Sequence, residues 1–185
     1  MYDPSRHDRR TTRLADFDYS DSAAYFVTLV TRDRAELFGR VIVDAIHLSS
    51  IGEIVHAEWL RSSDIRQELE LDEFVVMPNH LHGIVIIARD SFVHSGPQSP
   101  PAGAHSRAPL HRPPRSLGSF ISGFKATTTR LTKQSGLVPD APIWQRNYFE
   151  RVIRNEYEAD RIRQYMIDNP SRWSEDPENG GRTTL

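Results

Sequence analysis

Cysteine is absent from the 185-residue chain, which excludes disulfides, zinc–thiolate centres and thiol nucleophiles. Long apolar runs are absent as well. No stretch approaches the roughly 20 residues that cross a bilayer, and the opening MYDPSRHDRRTTR lacks the apolar segment of a signal peptide. A cytoplasmic protein is therefore the expectation, with no membrane partner. A large excess of charge of one sign is also missing, the formal net charge being −2. What is present, 38% apolar and 26% charged residues in a chain long enough for one real core, is ordinary for a soluble globular domain with polar loops.

The near-neutral average hides a split. Between Arg112 and Arg154 eight lysines and arginines face only Asp140 and Glu150. Between Ala57 and Glu73 the balance reverses, with Glu58, Asp64, Glu68, Glu70, Asp72 and Glu73 against Arg61 and Arg66. Such asymmetry points to one cationic face, although a solvated basic surface without a partner has the same composition.

Patterning gives the elements. AYFVTLVT, Ala24 to Thr31, is β-branched and aromatic and predicts a first strand. Val41 to Val43 is either a short strand or an entry to the next element. Ile51, Ile54, Val55 and Trp59 recur at helical spacing within 49–61. Leu71 to Met77 and Leu81 to Ala88 predict two strands joined at Pro78-Asn79. Residues 116–134 place Leu117, Phe120, Ile121, Phe124 and Leu131 on one helical face, with Gly136 as terminator. Tyr148 to Ile153 alternates like a strand. Asn155 then caps a helix carrying Ala159, Ile162 and Met166 inward, which Asn169-Pro170 should stop.

The order strand, helix, strand, strand, helix, strand, helix fits an α+β fold. It predicts a ferredoxin-like antiparallel sheet with helices packed on one face, plus a C-terminal helix carrying a tyrosine. A polar tail (1–20) precedes the domain (21–174). A Pro/Ser-rich insertion (90–114) interrupts it, its His94, His105 and His111 too irregularly spaced for a metal tract. A polar tail (175–185), read as frayed, ends the chain.

The chemistry-bearing stretch is VVMPNHLHGIVII, Val75 to Ile87. Residues two apart on a strand share a face, so His80 and His82 project side by side while Leu81 goes the other way. Two neutral imidazoles can converge on one cation; two hydrogen-bonded core histidines would give the same pattern. Tyr165 and Asn169 stand four apart, on one face if the helix reaches that far. A tyrosine there can supply a nucleophile, and the amide oxygen a third ligand. Two imidazoles and one amide carry no charge, which would leave Mg²⁺ or Mn²⁺ electrophilic and open to phosphate oxygens.

VVMPNHLHGIVII, IWQRNYFERVIRN and QYMIDNP together resemble the single-tyrosine HUH transposases, and most closely the REP-associated tyrosine transposases. The resemblance covers roughly Ala24 to Trp173, and Lys125 in SFISGFKATTTRL also fits; the insertion at 90–114 departs from it. It implies a ferredoxin-like nuclease that cuts and rejoins single-stranded DNA. Carried over by position, His80 and His82 hold the divalent metal, Mg²⁺ or Mn²⁺, and Tyr165 is the nucleophile. Asn169 stands where insertion-sequence relatives have glutamine, an amide shorter by one methylene. The partner implied is single-stranded or hairpin DNA, since the family handles imperfect palindromes, with no organic cofactor. A homodimer exchanging the tyrosine helix, as in insertion-sequence relatives, is left open.

Free tyrosine has a pKa of about 10, so about one in a thousand is ionised at pH 7. A metal on the scissile phosphate would offset that handicap. Arg112, Arg115, Lys125, Arg130, Arg146, Arg151 and Arg154 are the phosphate-binding candidates. Tyr148 is the rival nucleophile, without a ligand four residues on, and neither Tyr157 nor Tyr25 pairs with one. Trp144 suits a stacked base or the core equally. Competing functions are a rolling-circle replication initiator and a non-catalytic ferredoxin-like nucleic-acid-binding module. The order of histidines before tyrosine disfavours a relaxase, and a single H-x-H motif disfavours a two-motif phosphodiesterase.

Overall fold

The computed structural model describes residues 23–87, 115–138 and 142–179. Arg112, the first tail and the 90–114 insertion lie outside the described residues. Strands β1 (Ala23–Val30), β4 (Leu69–Val76), β5 (His80–Ile87) and β6 (Phe149–Ile153) form one antiparallel sheet in the order β4-β5-β1-β6. With helices α1 (Ser50–Ile65) between β1 and β4 and α2 (Leu117–Gln134) between β5 and β6, this is the ferredoxin-like order expected.

The alternation along β1 divides the molecule into two layers. Tyr25, Val27 and Leu29 join Leu81 and Val85 of β5 beneath Val55 and Trp59 of α1 and Leu117, Phe120, Ile121 and Phe124 of α2. Ala24 and Phe26 face the other way, where Ile84 and Ile153 meet Ala159, Ile162 and Met166 of α3 (Glu156–Asp168). The first two helices thus share one face and the tyrosine-bearing helix covers the opposite one. Each long helix starts where a side chain caps it. Ser49 Oγ accepts from Gly52 N–H, Ser116 Oγ from Ser119 N–H and Asn155 Oδ1 from Glu158 N–H. Gly136, at φ +67°, closes α2.

Val41 to Val43 belongs to a hairpin, β2 (Gly39–Ile42) and β3 (Ala45–Leu48), separate from the main sheet. Val43 and Asp44 turn it with φ of +47° and +60°, a left-handed pair usually built from Asn-Gly.

The glycine beside the histidine pair is required by contact. Gly83, next after the histidine pair, lies under the Trp59 ring; a Cβ there would sit 2.5 Å from Trp59 Cζ2. Gly83→Ala should therefore destabilise the fold by about 1–3 kcal/mol through overpacking. Urea unfolding measures this, and an unchanged midpoint would mean that Trp59 moves aside freely.

Candidate active site

The pleat of β5 sends His80 and His82 to the α3 side, with ring centroids 4.4 Å apart and both rings buried. Their outer hydrogen bonds fix which nitrogens face inward. Asn79 Nδ2 donates to the carbonyls of Arg34 (3.2 Å) and Glu178 (2.7 Å), leaving Oδ1 to accept from His80 Nδ1–H at 2.9 Å. His80 Nε2 is then the lone-pair nitrogen, and it is buried without a hydrogen-bond partner. Asp176 Oδ2 stands 4.0 Å from it. His82 Nδ1 meets the Thr28 hydroxyl on β1 at 2.8 Å, and with Nδ1–H donating there, Nε2 accepts from Tyr165 O–H at 3.3 Å. A second hydrogen bond orienting each imidazole is the usual support of a metal-ligating histidine. Burial, reinforced by the Arg34 charge, pushes the His80 pKa down to about 3. Burial also lowers His82, with His80 adding to it and Asp176 opposing.

Helix α3 is held by its buried Ala159 and Met166 and by Arg163. The Arg163 guanidinium binds Asp72 through Nε (3.0 Å to Oδ2) and Nη2 (2.6 Å), and through Nη1 also reaches Glu156 (2.5 Å) and Asp160 (2.6 Å). Asp72 projects from an irregularity in β4 between Leu71 and Phe74. The clasp ties the helix to the sheet edge two residues before Tyr165. The Tyr165 ring stands edge-on to Phe26, centroids 6.3 Å apart at 84°. Burial, with Asp176 assisting, raises the Tyr165 pKa to about 12, while Asn169 pulls weakly the other way.

Helix α3 ends at Asp168, as the Asn169-Pro170 pair predicts, but not because Asn169 leaves helical geometry: it keeps helical backbone angles (φ −59°, ψ −42°), and the chain runs on as a 3-10 helix, Pro170–Glu175. Residues 175–179, expected to belong to a frayed tail, fold back over the histidines. Trp173 lies 5.9 Å from the His80 ring, Asp176 is buried, and Arg34 fastens the end through the Pro177 carbonyl (2.8 Å) and the Glu178 carboxylate (3.1 Å). Asn169 Nδ2 donates to Asp176 Oδ2 at 2.9 Å, and its Oδ1 is buried without a partner.

The donor set suits a divalent cation. One ligand atom each from His80, His82 and Asp176 lies within 4.8 Å of the others. The unpartnered His80 Nε2 and Asn169 Oδ1 are lone pairs that a cation would satisfy. Asp176 changes the electrostatics expected from two imidazoles and an amide by adding a negative charge. No spacing rule reaches from H-x-H to an acid in the polar tail, so the sequence carried no signal for it. Beside this cluster an open cavity is lined by Tyr165, Asn169, Arg172, Glu175, Asp176 and Pro177.

The cationic candidates divide by location. Arg146, Arg151 and Arg154 are exposed along β6 and its flanks, Arg151 paired with Glu158. Arg115, Lys125 and Arg130 belong to α2 and its start, on the opposite face of the sheet from the histidines. Lys125 Nζ donates to the Gln145 and Asn147 carbonyls at 2.9 Å each and lies 5.7 Å from the Tyr148 ring, holding the approach to β6. Trp144 is buried in the core, its indole N–H donating to Thr128 Oγ1 at 2.8 Å.

No known family profile matches the chain. An uncharacterized protein of Haemophilus influenzae is 32% identical over 175 residues, 95% of each chain. Among solved structures, a REP-associated tyrosine transposase bound to a REP hairpin superimposes with a TM-score of 0.54, covering 87% of this chain and 78% of that one at 19% identity. The fold is that of the transposase family which the motifs resemble. No described helix is long and apolar enough to cross a membrane.

The buried neutral imidazole of His80 makes metal-free stability pH-dependent. An unfolded histidine takes up a proton near pH 6.5, whereas the folded one resists down to about pH 3. The unfolded state binds more protons between these values, so stability should fall as pH drops from 6.5 toward 3. Melting curves should show this slope, and His80→Gln should reduce it, with buried His82 supplying the remainder. An unchanged slope would mean that the charge is taken up elsewhere.

Proposed function

We propose that this chain, which belongs to one family with the Haemophilus influenzae protein and has the fold of a REP-associated tyrosine transposase, cleaves and rejoins single-stranded DNA beside a hairpin. The observation that carries the reading is the Tyr165 hydroxyl at 3.3 Å from His82 Nε2, with the lone pair of His80 unused alongside. His80, His82 and Asp176 would hold Mg²⁺ or Mn²⁺, with Asn169 Oδ1 beside them. When bound, the ion supplies positive charge that polarises the scissile phosphate and favours phenolate.

The chain's own groups argue that such help is needed. Tyr165 releases its proton less readily than free tyrosine, and His82 accepts one less readily than free histidine. Transfer from phenol to imidazole is therefore strongly uphill. In the metal-free site this hydrogen bond holds the nucleophile beside His82 without ionising it, and a bound ion would take over the same Nε2 lone pair.

In the reaction, the Tyr165 phenol gives up its proton to solvent, its Oη forms a bond to phosphorus and the P–O3′ bond breaks. The leaving 3′ oxygen takes a proton from solvent, and the products are a 5′-phosphotyrosine and a free 3′-hydroxyl. Because the tyrosyl ester retains the phosphodiester linkage, a later 3′-hydroxyl can attack it and join strands without ATP. Arg146, Arg151 and Arg154 would take phosphates of the strand entering along β6, since they flank the edge of the reactive face. Arg115 and Arg130 would take more distant ones.

A hairpin oligonucleotide labelled on the 3′ side of the cleavage point, incubated with Mn²⁺, should give a denaturant-resistant adduct with wild type and none with Tyr165→Phe. Tyr148→Phe should retain the adduct; its loss there alone would reassign the nucleophile. His80→Ala should abolish cleavage while oligonucleotide affinity stays within a few-fold. Separately, Mn²⁺ should raise the melting temperature of wild type. Asp176→Asn should weaken that rise, and Asn79→Ala, which frees the His80 ring, should cost about 10–100-fold in Mn²⁺ affinity. A full Mn²⁺ response in Asp176→Asn would leave the third position to Asn169.

A further inference from the structure

The reactive face of the sheet extends beyond the histidines and the tyrosine. Val75, His82, Thr28 and Phe149 form one cross-strand row from β4 to β6. Phe149 therefore shares a face with His82 at two inter-strand spacings, about 10 Å. It is 47% exposed, on an edge strand. Phe26, one row along, connects the two ends. Its ring centroid lies 5.2 Å from that of His82, 6.3 Å from that of Tyr165 and 6.2 Å from that of Phe149, the last at an interplanar angle of 68°.

An exposed phenylalanine at the end of an aromatic chain that begins at the nucleophile calls for an occupant. The surroundings select its chemistry. Arg146, Arg151 and Arg154 are exposed on β6 and its flanks, Arg151 paired with Glu158, whereas Glu150, the one carboxylate of the strand, is buried and paired with Val27 of the opposite face. A flat apolar ring among cations suits a polyanion that also carries flat rings. A second copy of this chain would bring its own arginines against these.

We propose that Phe149, backed by Phe26, is a stacking platform for the unpaired nucleobase adjoining the scissile phosphate. This rests on the reading of the chain as a single-stranded DNA transesterase and assigns the subsite that sets the strand's register on the sheet. Stacking accepts any base, so the platform fixes where the strand lies and leaves the choice of sequence to other contacts.

The test uses Tyr165→Phe protein, which binds without reacting. The probe is a hairpin oligonucleotide whose single-stranded arm carries 2-aminopurine at successive positions. One position should be quenched on binding. Phe149→Ala in the same background should abolish that quenching and weaken affinity about tenfold, and Phe149→Trp should preserve both. Quenching that survives Phe149→Ala, or no quenching at any position despite binding, would overturn the platform. So would a dimer, seen by light scattering, that dissociates on Phe149→Ala while quenching and affinity stay constant. The adduct assay with otherwise wild-type protein separates the two claims. Adduct formation with unaltered efficiency in Phe149→Ala sinks the platform alone, whereas quenching without any adduct in wild type sinks the transesterase and leaves a base-binding face.

Discussion

The two-residue repeat of β5 is the constraint on which the site depends. It sends His80 and His82 to the α3 face and Leu81 to the packed core beneath α1 and α2. Gly83 completes the division by admitting the Trp59 ring against the strand, so the reactive row is backed by the core beneath α1 and α2. Neither imidazole is free to turn. Asn79 and Thr28 hold the outer nitrogens, and Asn79 is itself held by two carbonyls. The inner nitrogens are therefore aimed before any ligand arrives, which spares the cost of orienting them on binding.

Where local chemistry decides structure, the sequence was easy to read. Ser49, Ser116, Asn155 and Gly136 stand at helix ends for reasons contained in the residues themselves, and alternation in AYFVTLVT and HLHGIVII reflects their buried faces. The four-residue spacing of Tyr165 and Asn169 placed them together in the same way. The β2–β3 hairpin was obscure because Val43-Asp44 adopts a turn whose usual residues are absent. The return of 175–179 was obscure for a different reason. It depends on Asn169 staying helical before a proline and on Arg34 of a distant loop, and both are tertiary effects. Asp176 was invisible because the histidines it faces lie nearly a hundred residues away in the chain.

Charge shows the same contrast between local and distant information. The strand residues of the acidic and basic stretches lie at the two ends of the sheet. Asp72 and its neighbours belong to β4 at one edge, and Arg151 and Arg154 adjoin β6 at the other. The sequence could not reveal that Lys125 is committed to two carbonyls while Arg146 stays exposed. A roll of cations therefore overstates a binding surface until the backbone shows which of them already have work inside the fold.

The irregularity in β4 has a consequence beyond fastening α3. A sheet open at both ends presents unpaired amides and carbonyls to any extended chain that drifts alongside. At positions 72–73 the pairing of β4 breaks step, and an incoming backbone could not stay in register past that point. The opposite border offers only five residues, flanked by arginines. The same small defect that steadies the tyrosine helix thus helps to keep neighbouring molecules from zipping onto the sheet and precipitating.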